Sequence, residues 1–281
     1  MKRAAATSGL SVRFWGVRGS IPSPGPGTNR YGGNTPCVEV RCGDELLVFD
    51  LGTGVRNLGE QYGRGLKAHL FISHYHYDHL QGLPFFIPMF DPTSQFTFYG
   101  PTRLGRTVKD VVVGQMQQPY FPVTAEAVFR AQVDYRAFSE GDRIGVGEAV
   151  VTALEVNHPG GNLAYRIDYR GHSVVYATDT EHGTASDARL VEFARGTDLL
   201  IFDAMYSEDE YLGRSGPPKV GWGHSTWQQA VRTADTAEVK TLVLFHHDPT
   251  RDDDALDKFL KLVKRHRPDA IAAREGQILT W

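Results

Sequence analysis

Ile72-Ser73-His74-Tyr75-His76-Tyr77-Asp78-His79-Leu80 carries three imidazoles and one carboxylate between positions 74 and 79, directly after the apolar run His69-Leu70-Phe71-Ile72-Ser73. That run has the composition of a short buried strand. Past a strand end, side chains at alternate positions point the same way, so His74 and His76 can converge on one ion. Asp78 and His79 fall where the chain turns toward a short helix cut off by Gly82 and Pro84, which lets them face a second ion. A lone surface histidine is seldom a ligand. Three in this spacing, with an aspartate among them, are the donors that divalent metals prefer.

The pattern His-x-His-x-Asp-His resembles the metal-binding signature of the metallo-β-lactamase superfamily. The resemblance implies a four-layered αββα fold, two mixed sheets sandwiched between helices, with further ligands from later loops in the order His, Asp, His. His158 follows the run Val150 to Val156, Asp179 follows Ser173 to Thr178, and His246 follows Thr241 to Phe245. His247 stands beside His246 and is the alternate for the last ligand. Seven donors, His74, His76, Asp78, His79, His158, Asp179 and His246, are too many for one tetrahedral ion. As the resemblance implies, one ion takes His74, His76 and His158, the other takes Asp78, His79 and His246, and Asp179 bridges. Two such cations activate a shared water and hold a substrate oxygen. The thiolate-free donor set suits two divalent transition-metal ions, zinc first and manganese or iron as alternatives, with cobalt and nickel also compatible.

With 281 residues and no stretch resembling a linker, the chain reads as a single hydrolase domain over 1–281. Its 30 glycines exceed the usual share of about 7% and crowd the candidate ligands at Gly52, Gly54, Gly82, Gly160 and Gly161. A formal net charge of -3 gives no global basic field to steer a large polyanion. Cys37 and Cys42, five apart on or beside one strand, point to opposite faces and are not expected to form a disulfide. Residues 1–10 lack an apolar core for a signal peptide and are expected to be frayed. No run of about 18 apolar residues follows, so no membrane association and a cytoplasmic location are expected.

Strands are expected at 11–15, 36–41, 45–50, 96–99, 149–156, 163–169, 173–177 and 198–202, with Cys42-Gly43-Asp44 and Arg170-Gly171-His172 as turns. Apolar spacing predicts a helix over 102–118 that Pro119 stops, and a strand over 128–135 within an aromatic-rich connection. Those rings read as core or cap, with the substrate opening or a dimer contact as alternatives. Helices are also expected after Gly54 to about 62, at 187–195 and at about 252–267, and one opening at Ser225 with a capping box to Gln228.

Outside the ligands, Asp198-Leu199-Leu200-Ile201-Phe202-Asp203-Ala204-Met205-Tyr206 and Gly223-His224-Ser225-Thr226 resemble the phosphodiesterase branch of the superfamily, which includes ribonuclease Z and bacterial cyclic-phosphate and cyclic-nucleotide phosphodiesterases. The resemblance implies that His224 is a proton donor or phosphate ligand and that Asp203 orients it, with Asp78 the third catalytic candidate. Ribonuclease Z generally carries Glu where Asp203 stands, and residues 80–145 hold no long basic arm for gripping tRNA. Gly16 to Pro22, Tyr31 to Thr35 and Asn157 to Asn162 resemble members that hydrolyse cyclic nucleotides; Arg18, Asn34 and His182 are the candidate substrate contacts. The expected function is therefore hydrolysis of a small cyclic nucleotide or cyclic phosphate, with a large nucleic acid disfavoured. The alternatives are a tRNA 3′-processing endonuclease, a thiolester or lactam hydrolase, or a metal-bearing sensor without turnover. A homodimer is common in this branch.

Overall fold

The computed structural model describes residues 9–281. The expected fraying of residues 1–10 lies outside the described residues up to position 8. At Leu10 it is corrected: Leu10 is buried, starts the first strand and exchanges backbone hydrogen bonds of 3.1 and 2.9 Å with Trp281.

One sheet is built from β1 (Leu10–Gly16), β2 (Cys37–Cys42), β3 (Glu45–Phe49), β4 (Lys67–Phe71), β5 (Gln95–Gly100) and β6 (Gln132–Ala137). The second takes β7 (Arg143–Val146), β8 (Ala149–Val156), β9 (Asn162–Tyr169), β10 (His172–Ala177), β11 (Leu199–Asp203), β12 (Thr241–Phe245) and β13 (Ile271–Ala272), and β14 (Ile278–Thr280) returns to pair with β1. Each sheet is mixed: β1 to β3 and β7 to β10 pair antiparallel, while β3 to β6 and β10 to β13 pair parallel.

Strand periodicity sorts side chains to the two faces of each sheet. Phe14, Val40, Phe49 and Phe71 meet Tyr165, Tyr176, Ile201 and Phe245 between the sheets. The outer face of the first sheet, with Val48, Leu70 and Phe98, is covered by α1 (Gly54–Tyr62), α2 (Val108–Gly114) and short 3₁₀ turns between 77 and 90. The outer face of the second, with Val175, Leu200 and Leu244, is covered by α4 (Ser186–Phe193), α6 (Trp227–Thr236) and α7 (Asp253–Val263); α3 (Ala125–Val128) and α5 (Glu208–Tyr211) are single turns. The result is the four-layered αββα arrangement. Cys37 and Cys42 fall in different layers of core and are both free.

Three local expectations are corrected. The helix expected over 102–118 shrinks to α2, because Thr107 and Asp110 form a capping box that starts it there, while Leu104 at φ 50° and Gly105 turn the chain just before. The strand expected over 128–135 is α3 followed by β6, which begins only at Gln132. The cap of α6 is Thr226, whose Oγ1 accepts from Gln229 N at 3.2 Å; Ser225 instead donates to the carbonyl of Thr180, and Gln228 accepts from Glu208 N. No helix among the described residues is long and apolar enough to cross a membrane.

Candidate metal centre

Parallel strands leave their carboxyl ends on one edge of a sheet, where crossover loops gather side chains. Here β3 leads into Asp50, β4 into His74, β10 into Asp179, β11 ends at Asp203 and β12 leads into His246. Asp50, Asp179 and His246 all have left-handed backbone, at φ 60, 49 and 58°. Such conformations cost a non-glycine residue about 1–3 kcal/mol, and three of them at strand ends mark a place where side-chain direction outweighs backbone comfort.

His74, His76 and His158 bring ring nitrogens within 4.8 Å of one another, as do the donor atoms of Asp78, His79, Asp179 and His246. Asp179 lies between the sets: Oδ1 is 3.8 Å from His74 Nε2, while Oδ2 is 3.3 Å from both His79 Nε2 and His246 Nε2. Asp78 Oδ2 is 3.2 Å from His246 Nε2 and 3.3 Å from His79 Nε2, and it accepts from Ser20 N. His246 therefore faces the cluster. His247 points away, donating from Nε2 to Ala273 O at 2.8 Å, and burial pushes its pKa down to about 3.

Contacts behind the rings fix their tautomers. His79 Nδ1 donates to Asp50 Oδ2 at 2.7 Å and His158 Nδ1 to Gly223 O at 2.8 Å. Ser73 Oγ gives its proton to Asp50, so it accepts from His74 Nδ1 at 3.1 Å. The Nε2 lone pairs are thereby turned inward, and Nε2 of His74 and of His79 is buried without a hydrogen-bond partner. Inward lone pairs with no donor, beside two carboxylates, fit divalent cations. Burial, and then His79, holds His74 well below its ordinary pKa, and burial lowers His76 and His158 too, the neutral state a ligand needs. His79 is raised despite burial, because Asp78, Asp179 and Asp50 surround it. A cation there would replace its proton.

His224 and Asp203 flank this cluster. His224 Nδ1 donates to Asp203 Oδ2 at 2.8 Å and lies 3.7 Å from Asp179 Oδ1, while its ring stacks on His246 at 4.9 Å. Asp203 is fully buried and its Oδ1 accepts from Met205 N. Burial works against a charged imidazole, yet Asp203, with Asp179 and Asp78 beyond, raises the His224 pKa to about 9. Cations on Asp78 and Asp179 would cancel their share and leave Asp203 as the support.

The proposed substrate contacts sit elsewhere. Arg18 is fully buried and donates to the carbonyls of Gly32 and Arg251, bracing two loops from inside. Asn34 is tied to Glu275 through its backbone N and its Nδ2. His182 packs on Tyr211 and reaches Ser225 Oγ at 3.4 Å, behind His224. Two residues went unselected from the sequence. Asp50 accepts from His79, Tyr176 OH, Ser73 Oγ and Ser73 N; its signal was a carboxylate at a strand end before Leu51-Gly52. Glu181 accepts from Tyr211 OH, Gly221 N and Gly223 N, holding the loop whose Gly223 carbonyl orients His158; nothing local in the sequence marks it. Gly223 stands at φ 88°, and a Cβ there would lie 2.2 Å from His158 Nδ1.

Ribonuclease Z of Pyrococcus furiosus is 26% identical over 85% of this chain and 87% of its own length. The metallo-beta-lactamase fold protein YhfI from Bacillus subtilis superposes with TM-score 0.73 at 22% identity, covering 97% of this chain and 99% of that one. The short form of human tRNase Z gives TM-score 0.65 at 20% identity over 96% and 98%. Residues 64–247 match the family described as Beta-lactamase superfamily domain, and the chain belongs to that superfamily.

Proposed function

We propose that this protein hydrolyses phosphodiester bonds, with the seven clustered His and Asp residues holding two divalent cations. The observation that carries the reading is the His224–Asp203 pair, buried at 2.8 Å beside the ligand cluster. Bound cations supply water activation and neutralise charge on the phosphate. The chain's own task is the leaving oxygen. Asp203 fixes the His224 ring through Nδ1 and supports its protonated form, leaving Nε2–H to donate to an alkoxide as the P–O bond breaks. A thiolester expels a thiolate, which leaves without a proton and has no need of this pair. Asp78 is confined by Ser20, His79 and His246, which supports a ligand role rather than one as a free base.

For the specific substrate, the ribonuclease Z relatives support tRNA processing ahead of the small cyclic nucleotide or cyclic phosphate expected from the sequence. The small phosphodiester stands as the second reading, favoured by the net charge of -3, which offers no extended field for an RNA backbone. A panel containing a 3′-extended tRNA, cyclic AMP, a 2′,3′-cyclic nucleotide, bis-p-nitrophenyl phosphate, a lactam and a glutathione thiolester separates these. Cleavage of the tRNA at its 3′ extension is the expected outcome. Turnover confined to lactam or thiolester would defeat the phosphodiesterase reading, and silence across the panel with metal bound would point to a sensor.

A further inference from the structure

Glu181, two residues past Asp179, is only 6% exposed, and its carboxylate is held by neutral donors: Oε1 accepts from Tyr211 OH at 2.7 Å and Gly221 N at 2.6 Å, and Oε2 from Gly223 N at 2.8 Å. Burying a carboxylate costs stability unless such bonds are kept, so this one grips its donors firmly. Its backbone reaches the other side of the same site. Glu181 N donates to Asn157 O at 2.8 Å, and its carbonyl accepts from Asn157 Nδ2 at 3.0 Å. Glu181 thus stands between the ligand His158 and Gly223, whose carbonyl takes the His158 Nδ1 proton. The loop 212–223 has few other ties. Among the described residues its remaining backbone hydrogen bonds run to Glu208, Asp209, Glu210, Tyr211 and Lys219, all in the loop or at its base. Val220 and Trp222 are 57% and 55% exposed, with Lys219 Nζ 4.1 Å from the centre of the Trp222 ring. Beyond its own base, the loop is hydrogen-bonded through Glu181 and His158 alone.

We infer that Glu181 is a positioning residue that ties the loop 212–223 to the ion of His74, His76 and His158, so that filling this ion site orders the segment leading into His224. The inference rests on the proposed metal centre and not on the kind of bond it cleaves. The coupling works through a tautomer. A neutral imidazole carries its proton on either nitrogen, and only the Nδ1–H form donates to Gly223 O. A cation on Nε2 takes the lone pair there, which keeps the proton on Nδ1 and the loop tied down. His224 follows Gly223 directly, so the chain that carries the proposed proton donor is fixed when the ion arrives.

The test needs no substrate, and its first arm needs no variant. Trypsin cleavage of the chelated full chain after the exposed Arg214, followed by mass spectrometry, should slow about 5-fold or more when saturating Zn2+ is added, the worth of one buried hydrogen bond. Cleavage after Arg265, beyond α7, should stay unchanged. Glu181→Gln, which replaces only part of the carboxylate's acceptor capacity, should abolish that protection and weaken one ion about 10- to 100-fold in competition titrations, leaving the other as it was. Added to His158→Ala it should cost no further affinity, because both act on one contact. Equal cleavage after Arg214 with and without zinc in the wild type overturns the inference, as does a Glu181→Gln variant that keeps both affinities or weakens both ions alike. Zinc bound without loop protection removes the coupling and keeps the metal centre; failure to bind zinc removes both.

Discussion

Replacing His224 by Ala should retain both metal ions and slow a poor leaving group far more than a good one. Burial disfavours a charged His224 ring, and with cations on Asp78 and Asp179 it is the Asp203 contact at 2.8 Å that holds the imidazolium. A ribose alkoxide needs that proton, so His224→Ala should cost about 10²- to 10⁴-fold in its release. A p-nitrophenolate hardly needs one and should lose much less. Asp203→Asn keeps the ring but removes the charge behind it, so it should show the same selectivity in milder form. The pH profile has a defined sign: with the alkoxide substrate, activity falls as pH rises through the His224 pKa, and in Asp203→Asn that fall moves to lower pH. The assay is kcat/KM for the two leaving groups, with metal content measured on the same preparations. Equal losses for both would reduce His224 to a phosphate contact, and loss of metal would make it a ligand or a structural residue.

Asp50→Ala removes the acceptor of four buried hydrogen bonds; it should weaken the ion beside His79 by about 10- to 100-fold in competition titrations, and unchanged affinity at both ions would refute the role. Gly223→Ala forces a side chain into a left-handed position against His158, so a loss of about 1–3 kcal/mol in stability is expected, visible as a lower Tm with depleted metal; a wild-type Tm with both ions present would contradict it. His247 is buried and neutral with its pKa at about 3 rather than 6.5, so the stability it contributes is full above pH 6.5 and is lost as pH falls toward 3. His247→Gln, which can still donate to Ala273 O, should flatten the decline in urea melts of chelated protein between pH 7 and 4; an unchanged slope would assign acid lability elsewhere.

The candidate ligand set is legible because most of its information is local. His74, His76, Asp78 and His79 lie within one turn of chain, and His158, Asp179 and His246 each follow a strand whose apolar run is plain. His246 is preferred over His247 in the sequence because it directly follows the strand, and its left-handed backbone at φ 58° turns it toward the cluster while His247 points to Ala273 O. The roles of Asp50, marked only by its place at a strand end, and of Glu181, unmarked, come from partners 23 to 126 and 30 to 42 residues away that the packed fold brings together. For Arg18 and Asn34 the sequence shows the residue type but not its partners. Polar residues in a Gly-rich loop suggest substrate contact, but here Arg18 donates to the carbonyls of Gly32 and Arg251, and Asn34 is tied to Glu275. Over 102–118 the apolar spacing suggests one helix, but the Gly105 turn and the Thr107 cap interrupt it.

The central claim is a two-ion hydrolytic centre bridged by Asp179. Metal analysis of protein purified without chelator, run beside Asp179→Ala and an activity assay on the same samples, tests it most directly. The account predicts close to two transition-metal ions per chain in the wild type, with both occupancy and phosphodiester hydrolysis lost in Asp179→Ala. Active wild-type protein with metal content near zero, or an Asp179→Ala variant that keeps both ions and full activity, would contradict it.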